Sequence, residues 1–145
     1  MAIELLDHQI IIDYLEAKVS KLKDVKGTAG FAAAAASLKN VPSAFVLPMS
    51  DRAAPNRTGT TVVSQNNTTR FGVIMAVQNL RDSRGQKAHT DLRTLRQDIF
   101  TTLHGWQPDE GFDPIQYGTG RMLQLNDQVL WWQDEFLTSH FIRSV

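Results

Sequence analysis

The 145-residue sequence contains no cysteine. Disulfides, thiolate catalysis and cysteine-ligated zinc are thereby excluded. It also has no excess of either charge, since fifteen Lys and Arg balance fifteen Asp and Glu. Dedicated nucleic-acid binders usually carry a basic excess gathered on one face, so that class is disfavoured. The same balance removes the self-repulsion that opposes association. Long hydrophobic runs are missing too. The longest uncharged apolar stretch, "GFAAAAASL" from Gly30 to Leu38, falls well short of the roughly 20 residues that a membrane helix needs. The opening "MAIELLDHQ" has neither a basic n-region nor an apolar h-region, so no signal peptide is expected. A chain made and folded in a cytoplasm is predicted.

The motifs of chemistry are missing as well. His8, His89, His104 and His140 form no metal-binding spacing. His104, beside the expected end of a helix, suits that helix terminus, where a cation is favoured, and His140 is expected at the surface or an interface. "GTGRM" and "RTGTT" combine Gly, Thr and Arg but lack the spacing of a phosphate-binding loop. Gly118 and Gly120 flank Thr119 just before a strand, which points to a turn or bulge. Asp109, Glu110 and Asp113 do not complete a calcium loop and are read as a solvated loop. "RFGVIMAVQNLRDSRG" is read as a core strand running into a helix capped by Asp82 or Ser83. The sequence therefore predicts no catalytic residue, no cofactor and no metal.

What is present is enough for one core, with 42% hydrophobic residues. Leu5, Ile12, Leu15, Val19 and Leu22 trace one stripe of a helix over 4–22. "VKG" (25–27) starts a short strand. Five consecutive alanines favour a short, closely packed helix that ends before Pro42. "SAFVLPM" (43–49) reads as a strand stopped by Pro48, and 50–61 as a long polar loop. Residues 62–79 form one long strand, or a strand broken at Asn66–Asn67, with Phe71–Val77 apolar on both faces and therefore central. Ala88, Leu92, Leu95, Ile99 and Leu103 define a second major helix from Gln86 to Leu103, closed by a left-handed Gly105. A hairpin with its turn at Asn126–Asp127 completes the chain. The order predicts one domain over 1–145. Its fold is α+β: a mainly antiparallel or mixed β-sheet with two main α-helices packed on one face.

The end of that hairpin, "DQVLWWQDEFLTSHFI" (127–142), is half apolar and half charged. By strand alternation Leu130, Trp132 and Phe136 share the core face. Trp131, Gln133, Glu135, Leu137 and Phe141 share the other, too apolar for open solvent and too polar for a closed core. Tryptophans in such mixed settings are frequent at protein–protein interfaces, so Trp131 is expected toward the surface or a neighbouring subunit, the alternative being that both tryptophans are ordinary core.

Three signatures carry a family resemblance. They are V-L-P (46–48) before a polar loop; F-G-V-x-x-A-V-x-N (71–79) leading to R-D-x-R-G (81–85); and G-W-x-P (105–108) followed by L-W-W-x-D-x-F (130–136). From about Ala44 to Arg143 the chain resembles the tail terminator proteins of long-tailed bacteriophages and prophages. The resemblance implies a structural virion protein with no catalytic activity. It implies a hexameric ring at the head-proximal end of the tail, assembled in the bacterial cytoplasm, that stops tube polymerisation and presents the head-joining surface. The implied partners are further copies of the chain, the major tail tube protein, the head-completion or neck protein and the tape measure protein. Neither a membrane nor specific nucleic-acid recognition is implied, although genome DNA would pass through the lumen.

A ring needs two different adhesive surfaces on each subunit. The residues singled out for them are Asp51, Arg52, Asn56 and Arg57 in the long polar segment (50–69, a loop or an extended hairpin), and Trp131, Gln133, Glu135 and Phe141 in the last strand. The alternatives are another phage connector, such as a head-completion or tail-tube protein, or a small enzyme with its site in the 105–121 loop.

Overall fold

The structure is a computed structural model that describes residues 4–36, 40–78, 86–125 and 129–144. The expected caps Asp82 and Ser83 and the expected turn at Asn126–Asp127 lie outside the described residues. Three helices, α1 (His8–Lys18), α2 (Thr28–Ala36) and α3 (Gln86–Leu103), accompany five strands. The strands are β1 (Asp24–Lys26), β2 (Ser43–Ala53), β3 (Ser64–Gln78), β4 (Gln116–Leu125) and β5 (Val129–Arg143), in sheet order β1-β2-β3-β5-β4. Only β1 and β2 run parallel; every other neighbouring pair is antiparallel. The expected α+β fold with a largely antiparallel sheet is the observed one.

The helix over 4–22 is shorter than its hydrophobic stripe suggests. The Asp7 carboxylate accepts from the Gln9 amide at 3.0 Å and caps the helix there. At the other end Val19 has left helical geometry and its N–H closes on Leu15 O at 2.9 Å. β2 does not stop at Pro48. β1 covers only Ser43–Phe45, so β2 is an edge strand at Pro48, where a missing N–H is tolerated. A bulge between Pro48 and Ser50 absorbs the irregularity, and Ser50–Ala53 pair on with Asn67–Arg70. The expected 50–61 loop is therefore an extended hairpin arm, with an irregular tip over 54–63. β3 runs unbroken through Asn66 and Asn67.

α1 and α3 lie on one face of the sheet. Ile11, Ile12, Leu15, Leu92, Leu95, Ile99 and Leu103 pack there on Val46, Phe71, Val73, Met75, Leu130 and Phe136. α2 lies on the opposite face, where Phe31 and Ala34 close a smaller cluster of Phe45, Ile74, Ala76 and Trp131. Phe71–Val77 are all buried, as expected of a strand covered on both sides. Gly105 has φ +83° and ends α3 in the left-handed conformation. Gly118 falls in a bulge of β4, between Tyr117 and Thr119.

Candidate assembly surface

β3 and β5 pair along their whole length, from Ser64 with Arg143 to Gln78 with Val129. Cross-strand partners share a face, so this ladder fixes what each side of the sheet presents. Odd positions of β5 and even positions of β3 look toward the α2 side. α2 covers only the end of that side near Trp131. The remainder is an open sheet face built from Leu47, Ser50 and Arg52 of β2; Asn66, Thr68, Arg70 and Gly72 of β3; Gln133, Glu135, Leu137, Ser139, Phe141 and Arg143 of β5; and Gln116, Thr119 and Arg121 of β4. Arg70 and Glu135 form an ion pair across it at 3.4 Å. Phe141 stands 69% exposed. This is the half-apolar, half-charged surface that the last strand announces.

The covered face is held by polar groups that the apolar periodicity does not show. Asp134 is fully buried, in phase with Trp132 and Phe136. Its carboxylate accepts from Arg96 Nε and Nη2, both at 2.9 Å, from Trp132 Nε1 at 2.9 Å and from the Tyr117 hydroxyl at 3.2 Å. The Arg96 guanidinium also lies 4.5 Å from the Trp132 ring centre, within cation–π range. The hydrogen bond to Asp134 holds Arg96 still more firmly protonated, and burial, with the Asp134 charge behind it, raises the Tyr117 hydroxyl. Gly120 lies directly beneath: a Cβ there would meet the Tyr117 hydroxyl and sit 2.5 Å from Asp134 Oδ1. One carboxylate thus ties α3, β4 and β5 together.

A second polar cluster braces the arm. Asp51 Oδ1 accepts from Thr69 Oγ1 at 2.7 Å and Asn67 Nδ2 at 3.1 Å, with Asn67 and Thr69 both buried. Burial lowers the His8 imidazole from its ordinary value, against weaker opposing pulls from Asp51 and Asp7. His140, expected at the surface or an interface, is buried within the subunit. Its Nε2 lies 2.8 Å from the Glu4 carbonyl oxygen, and its ring centre is 4.2 Å from that of Phe112. An outward position fails because 140 shares its parity with the covered residues Phe136 and Thr138.

The eight residues singled out from sequence separate clearly. Arg52, Gln133, Glu135 and Phe141 come together on the open face. Arg57 is exposed at the arm tip. Asn56 is occupied locally, its Oδ1 accepting from Thr58 N at 3.3 Å and Ser64 N at 3.0 Å. Asp51 points to the α1 side and works inside the arm. Trp131 corrects the expectation for it: only 8% of its surface is exposed, because α2 lies over it with Phe31 at 5.9 Å and Phe45 at 6.2 Å between ring centres. The residues that sequence reasoning missed, Asp134 with Arg96 and Tyr117, had one signal: an acid in the phase of the core.

A cavity of about 400 Å³ opens between Lys21, Pro42, Val77, Asp91 and Leu95. Its charged groups are already engaged, Lys21 with Asp98 at 3.0 Å and Asp91 with Lys87 at 3.9 Å. Among the described residues no group of three or more His, Asp or Glu could hold a metal ion, and no helix is long and apolar enough to cross a membrane.

An α+β subunit with one face sealed by helices and the other partly open, apolar and charged together, has the surface of an assembly component. Residues 1–144 match the family model described as phage tail terminator protein, and the chain belongs to that family, a structural component of the phage tail. No curated protein matches the chain at a significant level.

Proposed function

We propose that this chain closes into a hexameric ring on the head-proximal end of the tail tube. There it stops the addition of tube subunits and offers the surface that joins the head. The observation that carries the reading is the family match over 1–144. The open sheet face supports it, since a subunit that binds neighbours needs exposed complementary surface, and Arg52, Gln133, Glu135 and Phe141 supply some. The partners in this reading are other copies of the chain, the major tail tube protein and the head-completion protein, with the tape measure protein setting the length at which capping occurs. Assembly takes place in the host bacterial cytoplasm. Capping works by shape and makes or breaks no covalent bond.

Electron microscopy of lysates from a phage with a stop codon in this gene tests the reading. Abnormally long tails without heads are expected. Tails of normal length joined to heads would overturn it.

A further inference from the structure

The two most exposed large hydrophobic side chains among the described residues are Phe141, at 69%, and Leu5, at 66%. They lie on opposite sides of the end of β5. The Glu4 carbonyl is anchored to His140 at 2.8 Å on the helix-covered side, whereas Phe141, one residue on, faces the open side. Their surroundings carry opposite charge. On the open face Arg52, Arg70, Arg121 and Arg143 face, among the described residues of the four strands, a single acid, Glu135, which Arg70 already pairs. Around Leu5, residues 4–16 expose Glu4, Asp7, Asp13 and Glu16, and no Lys or Arg precedes Lys18. The zero net charge of the chain hides a local asymmetry: the open face is basic and the stretch 4–16 is acidic, with Lys18 and Lys21 following only at the far end of α1.

We infer that the acidic, leucine-bearing surface of residues 4–16 in one copy docks on the open, arginine-bearing sheet face of a second copy. The inference rests on the ring reading above and names the surfaces that join its subunits. An antiparallel sheet can leave a polar face to water, but α2 leaves half of this one bare with Leu137 and Phe141 on it. A neighbour's α1 completes an α/β/α sandwich, with Leu5 and Phe141 as apolar contacts inside a rim of Arg–carboxylate pairs. The two surfaces differ, so the contact is heterologous and repeats from subunit to subunit until the rotation closes. The occupant is a second copy because charge and apolar plug are both matched by the chain itself.

The absence of cysteine makes the test direct. Leu5→Cys and Phe141→Cys are made singly and together; both positions are exposed, and circular dichroism verifies the fold. Free protein and purified capped tails are then oxidised. The double variant should give a ladder of covalent oligomers ending in a closed ring, and each single variant should stay monomeric. Single variants that dimerise would show a self-complementary contact and overturn the inference. As a second measurement, Arg52→Glu with Arg143→Glu should weaken self-association at least tenfold, and adding Asp13→Lys with Glu16→Lys should restore it. Rings that form with no linkage in the double variant, or with unchanged affinity after charge reversal, would leave the ring reading standing and refute this docking. If charge reversal blocks capping while rings still form, the open face serves a different acidic partner, tube protein or DNA, and the inference falls. No closed oligomer of the unsubstituted chain, either free or on tails, would refute the ring reading itself.

Discussion

Arg96 and Asp134, 38 residues apart in sequence, meet through two parallel hydrogen bonds of 2.9 Å each. The carboxylate is wholly buried and the guanidinium is partly open to solvent. Such pairs reward integrity more than presence: losing one partner strands the other. Arg96→Met is expected to cost about 3–5 kcal/mol of folding stability. Arg96→Met combined with Asp134→Leu should lose less than Arg96→Met alone, because no charge is then left buried. Urea denaturation of the two variants checks the order, and a double variant worse than the single would show that the pair does not act as a unit.

The neighbouring tryptophans and Phe141 sort by what covers them. Trp131→Ala empties the cluster beneath α2 and is expected to cost about 3–5 kcal/mol. Phe141→Ala should change stability by less than about 0.5 kcal/mol, as an exposed site does. The phenotypes should reverse that order: Phe141→Ala folds normally yet complements a terminator-deficient phage only at reduced titre. Thermal melts and plaque assays separate the two, and a Phe141→Ala phage of full titre would remove Phe141 from the assembly surface.

His8 gives the fold a dependence on pH. Burial lowers its pKa from the ordinary 6.5, outweighing Asp51 and Asp7, so the folded state prefers the neutral ring. Its contribution is complete above the unfolded value and is lost as pH falls through that value, where the unfolded chain takes up a proton first. On acidification from neutral pH the melting temperature should fall more steeply for the unmodified chain than for His8→Gln. Parallel melting curves would contradict this.

The arm should exchange its amide hydrogens unevenly. Its flanks are paired strands, Ser50–Ala53 with Asn67–Arg70, and Ala54 and Val63 are tied to Asn66 and Ser144, whereas between them the tip has local side-chain bonds such as Thr58 Oγ1 to Val62 O. Fast exchange over 57–62 and slow exchange over 67–77 are expected in the free chain. Slowing of the tip on assembly would bring Arg57 into an interface, and strong protection of the tip in the free chain would show that it folds as firmly as its strands.

Much of this architecture was legible because it depends on period. The buried stripe of α3 and the two-sided burial of Phe71–Val77 follow from spacing alone, and so do the opposite faces of Trp131 and Trp132. What parity does not reveal is which remote element lies over a face. Trp131 is covered by an alanine-rich helix about a hundred residues earlier, and small side chains leave no pattern that names their partner. The strand beyond Pro48 was hidden because a proline stop depends on whether the strand is an edge there. His140 finds a backbone carbonyl, which no sequence displays. Of the candidate assembly surface, the open face could be read from the last strand, but its arginines come from four strands and converge only once the register is known.

β5, made after the other four described strands, does not take an outer place in the sheet: it slots between β3 and β4. A nascent chain therefore holds β4 without its neighbour, and β3 with one side open, until residues 129–143 emerge. A product cut short before that point lacks Asp134, the inner ladder and half of the open face at once. Completion of the sheet therefore waits on residues 129–143, and a chain truncated before them has no inner ladder to close.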